Sequence, residues 1–299
     1  MVAVSLDAVL MAVTDEAPRT LVVDAGGDRL RFPSGPLDDD RTLELGMRRV
    51  LRAQAGLEVG YAEQLYTFGD LARSSDGPER TVSVAYLLLG HEEVPRGPAR
   101  WIDWYELLPW EDHRQGRPPV IDDAIGPACQ AWIGRAGDAT DRASRQERAQ
   151  VVFGLDGASW DGVRVLERYE LLYELTLLAE AGQGSGLASL ALDLDHRRMA
   201  AAALGRLRGK LTYRPVVFEL LPDTFTLLQL QRVVEALAGV RLHKQNFRRL
   251  VDSQGLVEGT GTMARTGGRP AELFRFRREV LRERPRPGVG TPWAGAGVS

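Results

Sequence analysis

The chain has 299 residues with 38 Lys+Arg against 41 Asp+Glu, a net charge of −3, and is 44% hydrophobic and 26% charged. This is the composition of a globular protein with room for two domains that each bury a core, and it excludes a wholly disordered chain. One cysteine, Cys129, excludes an intrachain disulfide and a cysteine-built zinc site, and fits a reducing cytoplasm.

From the start, MVAVSLDAVLMAV lacks a basic leader and contains Asp7, so it reads as a strand rather than a signal peptide. No later run is long and uncharged enough to cross a bilayer, and no membrane partner is expected. Over 1–110, VSLDAVLMAV, TLVVD, RLRF, YAEQLYTF, TVSVAYLLLG and ARWIDWYELL are β-branched or aromatic runs between Gly, Pro and Asp breaks, and all read as strands. Among them RTLELGMRRVLRAQAG is one helix, with Leu43, Met47, Val50 and Leu51 on its apolar face and Gly56 at its end. A mixed sheet carrying one central helix is an α/β sandwich.

The middle, 111–211, opens on the Pro-rich PWEDHRQGRPPV. IDDAIGPACQAWIG reads as an apolar helix, with Cys129 a small core residue, and a polar helix or linker follows. SWDGVRVLERYELLYELTLLAEAG reads as a long apolar helix with Val163, Leu166, Tyr169, Leu172, Tyr173 and Leu177 as buried candidates, packed between domains or at a dimer interface. LDHRRMAAAALGRLRGKL reads as a connecting rod. It has Asp195 as N-cap, an apolar side of Met199, Ala203, Leu204, Leu207 and Leu211, and elsewhere Arg197, Arg198, Arg206, Arg208 and Lys210, which read as solvated, with contact to phosphates as the alternative. His91, His113, His196 and His243 have no ligand spacing, so no metal site is expected.

Residues 212–284 hold the most informative stretch. Thr226 stands three residues before Gln229, the spacing of a capping box, and Leu227, Leu230, Val233, Val234 and Leu237 follow at helical period until Gly239. A second helix over 243–254 puts Phe247, Leu250 and Val251 on one face and Gln245, Arg248, Arg249 and Asp252 on the other. LVEGT and ELFRFR are strands flanking a tip at 264–270. Helix, turn, helix and hairpin is the order of a winged helix-turn-helix. Arg, Lys and Gln donors match base edges and phosphates in the major groove. The expected DNA-contacting set is Thr226, Lys244, Gln245, Asn246, Arg248 and Arg249, with Arg265 and Arg269 at the tip. The competing reading is a solvated basic helix. Residues 241–286 carry 12 Lys+Arg against 5 Asp+Glu, a surplus of seven, so the remainder of a chain at −3 carries −10. The last stretch, 285–299, is expected to be disordered.

GPLDDDRTLELGMRRVLRAQAGL, residues 35–57, resembles the box of Nudix hydrolases: Gly35, Arg49, Leu51, Gly56 and Leu57 fall in register. The acidic positions do not. The first family Glu is here Arg41, and the three on the helix are Val50, Ala53 and Gln54. Nudix chemistry uses those carboxylates to hold Mg²⁺ against a diphosphate, so the resemblance implies a Nudix fold without Nudix catalysis, and no catalytic residue is assigned. Such a cleft can still hold an adenine-nucleotide diphosphate by direct hydrogen bonds. Arg49, Tyr66 and Phe68 are the ligand candidates, against the alternative that the rings are core and Arg49 makes a structural ion pair.

A Nudix-like domain followed by a winged helix is similar to the NrtR group of Nudix-related transcriptional regulators. EQLYTFGD, the stretch from LDHRRM to EALAG, KQNFRRLV and GRPAELFRF carry the likeness. The long helical insertion resembles the branch called NadQ. The resemblance implies a cytoplasmic homodimer that represses NAD biosynthesis or salvage genes and binds a palindromic operator. Its effector is ADP-ribose by the first group, ATP or NAD by the second. Two alternatives stand beside it. One is a Mg²⁺-dependent hydrolase using Asp38, Asp39, Asp40 and Glu44, and the other is a winged helix that binds protein.

Overall fold

The structure, a computed structural model, describes residues 2–69, 80–182, 186–264, 270–283 and 287–290. Strands β1 (Val2–Thr14), β2 (Ala17–Gly26), β3 (Arg29–Arg31), β4 (Ser34–Pro36), β5 (Tyr61–Phe68), β6 (Arg80–Leu89), β7 (Arg100–Asp103) and β8 (Ala191–Leu192) form one mixed sheet of order β5-β6-β1-β2-β3-β8, with β4 on β1 and β7 on β2. β1 runs parallel to β6 along Val2 to Met11. On its other edge it pairs first with β4 and then, at Met11 to Thr14, with β2.

Helix α1 (Leu43–Ala55) lies on one face of this sheet. Gly56 ends it in the left-handed region, as its sequence predicts, and Thr42, not singled out by the sequence, caps it by accepting from the Leu45 N–H. Met47 and Leu51 pack there against Leu6, Leu10, Leu21, Val23 and Leu88. On the opposite face, Val9, Met11, Leu87 and Leu89 begin a core that runs on through Met199, Leu204 and Leu207 to Leu230, Leu237, Phe247 and Leu256 of the winged helix.

Several local readings are corrected. ARWIDWYELL is only half strand: Asp103 and Glu106 form a capping box that starts α2 (Trp104–Leu107). The insertion holds α3 (Gly126–Gly134), α4 (Ala139–Phe153, capped by Asp138) and α5 (Val165–Glu174). Cys129 is buried in α3, and burial pushes its thiol up to about 11. The apolar helix expected from 159 begins only at Val165, so its buried side is Val165, Tyr169, Leu171 and Leu172, while Val163 and Tyr173 are exposed. In α6 (His196–Leu211) Asp195 holds the N-cap position but makes no capping bond.

The largest departure is on α6 itself. Arg197 and Arg208, expected in solvent, are fully buried, because α6 is a central element packed on the sheet and on α5. Arg197 is satisfied by Glu180 (2.9 Å) and the Leu107 and Leu190 carbonyls. Arg198, Arg206 and Lys210 are ion-paired to Glu170, Glu63 and Glu63. Arg208 and Arg168 clasp the fully buried Glu111. Arg168 Nε donates to Oε1 at 2.5 Å and Nη2 to Oε2 at 3.2 Å, while Arg208 Nη1 donates to Oε2. Burial alone would raise the Glu111 carboxyl, but the two guanidiniums outweigh it and hold it below the usual carboxylate range.

Within the tail expected to be disordered, Val289 is buried and its N–H donates to the Leu211 carbonyl at 2.8 Å; residues 291–299 lie outside the described residues. Glu111→Ala leaves two buried guanidiniums without their counter-charge, so chemical denaturation is expected to show a loss of about 3–5 kcal/mol. The native triad's contribution is complete above the usual carboxylate range and lost as pH falls through the lowered folded value. Acid unfolding of Glu111→Ala is therefore expected to lack that component.

Candidate nucleic-acid interface

Helix α7 (Leu227–Ala238) starts as its sequence predicts: the Gln229 N–H donates to Thr226 Oγ1 (3.2 Å) and the Thr226 N–H to Gln229 Oε1 (2.8 Å). Gly239 ends it at φ +70°. A Cβ there would sit 2.4 Å from the Glu111 carbonyl oxygen, so only glycine lets the helix end approach the buried triad. The last carbonyls of α7 are capped from outside the winged helix. The Tyr105 hydroxyl donates to Ala236 (2.7 Å), Arg208 Nε to Leu237 (2.9 Å) and the His113 N–H to Gly239 (2.7 Å). Burial pushes the Tyr105 phenol up to about 12 and the His113 imidazole down to about 4, so both are neutral here.

The turn into the second helix is built on Glu235, which is buried. It accepts from Gln231 Nε2 (2.8 Å), Arg241 Nη1 (2.8 Å), Arg232 Nη1 (3.0 Å) and the Leu242 N–H (3.0 Å). Burial opposes its ionisation, and these donors more than offset it, holding the carboxyl below the usual range. Arg232 and Arg241 also reach Glu16, at 3.2 and 3.3 Å, in the two-residue turn between β1 and β2. Asp15 and Glu16 both have positive φ, 50° and 63°. Side chains other than Gly and Asn are uncommon there, and the ion pairs hold Glu16 in place.

Helix α8 (Lys244–Gln254) buries Phe247 and Val251, with Leu250 half-buried, and turns Lys244, Gln245, Asn246, Arg248 and Arg249 outward. Among the described residues these five side chains make no hydrogen bond or ion pair, in contrast to Arg48, Arg49 and Arg52 of α1, each of which has a carboxylate partner. The wing is β9 (Val257–Ala264) against β10 (Ala271–Phe276). Phe225 adds a third line of backbone pairing through two bonds with Phe274, of 2.9 and 2.8 Å. Phe218 stacks on Phe276 at 4.4 Å beneath it. Arg265 and Arg269 lie outside the described residues. Thr226, of the expected DNA-contacting set, is buried, and its hydroxyl accepts the capping bond.

The nucleotide candidates do not form one constellation. Arg49 stands on the α1 side, with Nε and Nη2 on Asp40 (2.9 and 2.8 Å) and Nη2 on the Pro36 carbonyl (3.0 Å). Phe68 is core on the opposite face of the sheet. Tyr66 is exposed beside α6, with the Arg206 guanidinium 5.1 Å from its ring. At the box positions Val50 is buried, and Gln54 exchanges two bonds with the Ser34 backbone (2.7 and 3.3 Å). Nothing in the sequence marked Glu16 or Glu235. A Glu at a hairpin turn that favours Asn-Gly is the one signal available beforehand.

Residues 217–276 match the NrtR DNA-binding winged helix domain. The ADPR responsive transcriptional repressor NtrR of Acinetobacter baylyi is 40% identical over 90 residues, which is 29% of this chain and 36% of that protein, so the match spans little more than a third of the relative. The crystal structure of Shewanella oneidensis NrtR with a 27mer DNA matches 93% of this chain and 95% of its own at 21% identity and a TM-score of 0.58. That of a MutT/nudix family protein from Enterococcus faecalis matches 93% and 87% at 15% identity and 0.57. At such identities the structural likeness speaks for the fold. The chain shares the fold of these proteins, and its residues 217–276 match an NrtR winged helix domain.

Proposed function

We propose that the chain is a DNA-binding transcriptional regulator, a repressor of NAD biosynthesis or salvage genes, whose operator affinity is set by an adenine nucleotide. The observation that carries this is the outward face of α8, where five donor side chains have no partner among the described residues. The NrtR of Shewanella oneidensis, crystallised with DNA, and the relative named as ADPR responsive repressor support the reading.

A homodimer places two α8 helices in successive major grooves about 34 Å apart, so the operator is a palindrome. The reader works in the cytoplasm, where such DNA is reached; among the described residues no helix is long and apolar enough to cross a membrane. The effector is ADP-ribose, with NAD and ATP as the alternatives. It acts through differential contacts to two arrangements of the readers, since a ligand that binds both equally shifts nothing. Tyr66 with Arg206 offers a ring and a cation on the α6 side, whereas Arg49 must release Asp40 to reach a ligand.

The Nudix-type domain has no hydrolytic role in this reading. The four box positions carry no carboxylate. Of the acids nearby, Asp40 is tied to Arg49 and Glu44 to Arg48, while Asp38 lies 3.9 Å from Arg49. A Mg²⁺-dependent turnover of ADP-ribose by the purified chain would sink this part of the proposal.

A gel shift on the chain's own upstream region, with and without ADP-ribose, NAD and ATP, tests the whole. The expected result is a salt-sensitive complex whose stability one nucleotide changes, and absence of any shift points to a protein partner for the winged helix. Arg248→Ala or Arg249→Ala is expected to weaken operator binding by about 1–3 kcal/mol where the side chain reads a base; unchanged affinity in both removes α8 from that role. Thr226→Ala is expected to lower unfolding stability by about 1 kcal/mol through the lost cap, with operator affinity unchanged under conditions where the protein stays folded.

A further inference from the structure

A cleft of about 710 Å³ lies between the sheet and the winged helix, and no residue of α8 lines it. Its volume falls within the range of about 300–1,000 Å³ typical of sites for small organic ligands, which occur preferentially between domains. Tyr61 and Lys210 form its back wall, where Lys210 is held by Glu63 and the Tyr61 hydroxyl donates to Glu63 at 2.6 Å. Phe218 and Phe276, stacked on each other, give it an aromatic surface.

At the rim stand two guanidiniums, Arg214 from the end of α6 and Arg278 from the end of the wing, and two carboxylates, Glu219 and Asp223. Among the described residues none of these four side chains has a hydrogen-bond or ion-pair partner, although acids and bases share one opening. A ligand that satisfies all of them brings an anion for the guanidiniums, hydroxyl or amino donors for the carboxylates, and a flat apolar part for the phenyl rings. Inorganic phosphate offers no flat apolar part. A nucleoside phosphate offers all three.

We propose that this cleft is a binding site for a nucleoside phosphate, separate from the Nudix-type domain's own cleft, with the phosphate on Arg214 and Arg278. Because Arg214 belongs to the α6 end and Arg278 to the winged helix, one phosphate held by both fixes the spacing of the two parts. The binding claim stands independently of the repressor reading; only its effect on DNA affinity rests on that reading.

The test is calorimetric titration of the full chain, without DNA, with AMP, inorganic phosphate and ADP-ribose, in the wild type and in Arg214→Ala/Arg278→Ala. Both positions are exposed, so the variant is expected to fold, which its thermal unfolding checks. The expected result is AMP binding that the double substitution weakens by roughly ten-fold or more, with phosphate binding the wild type far more weakly than AMP. AMP affinity and stoichiometry unchanged in the variant would overturn the proposal, as would phosphate binding as tight as AMP. If AMP fails to bind the wild type while ADP-ribose binds wild type and variant alike, this cleft is excluded and the sensor reading survives. If no nucleotide binds, both fall.

Discussion

The fold depends on one buried carboxylate. Glu111, between Arg168 and Arg208, has left water together with both partners, and ions in that position are tolerated only when their polar atoms find partners. Here every side-chain nitrogen and oxygen of the three has at least one. Besides the carboxylate, Arg168 donates to the carbonyls of Val152 and Asp161, and Arg208 to those of Gly162, Glu111 and Leu237. Trp160 closes one side with its ring 3.8 Å from the Arg168 guanidinium. Apolar residues of the same volume give comparable stability in such places. They cannot give direction. Each of these bonds admits one orientation of the insertion, of α6 and of α7, so the triad sets how the sheet, the helical insertion and the winged helix lie together.

That arrangement separates two kinds of arginine. On α1 and α6 the cations are spent on named carboxylates, which explains how a region so rich in Arg belongs to a part of the chain that is acidic overall. On α8, among the described residues, Lys244, Arg248 and Arg249 have no such partner. A surface that faces polyanions needs cations that are available, and an internal ion pair would have to be broken before any phosphate could be met.

What could be read in advance follows from which signals are local. The start and end of α7 lie in Thr226, Gln229 and Gly239, and the end of α1 in Gly56, because a cap is decided within four residues. The outward set on α8 followed from a 100° period and two buried apolar residues. Arg197 and Arg208 were out of reach. A charged residue in a helix reads as solvated, and nothing near Arg208 in the sequence announces Glu111, 97 positions away. The failure on α5 is similar: an apolar run long enough for several phases gave no way to choose one. Arg49 and Tyr66 were grouped as ligand candidates from the likeness to a nucleotide cleft, but one is tied to Asp40 beside α1 and the other stands against Arg206 of α6.

The end of α7 has a meaning for how this chain can be taken apart. Three carbonyls of the winged helix's first helix find their donors on Tyr105, Arg208 and His113, and its turn leans on Glu16. The winged helix is thus no bead on a string. Cut free or grafted onto another scaffold, it loses the donors that terminate its own helix, and a cut anywhere between α6 and α7 leaves both halves incomplete. Modularity by sequence and autonomy in folding are different properties, and the donors at the end of α7 tie this winged helix to the rest of the chain.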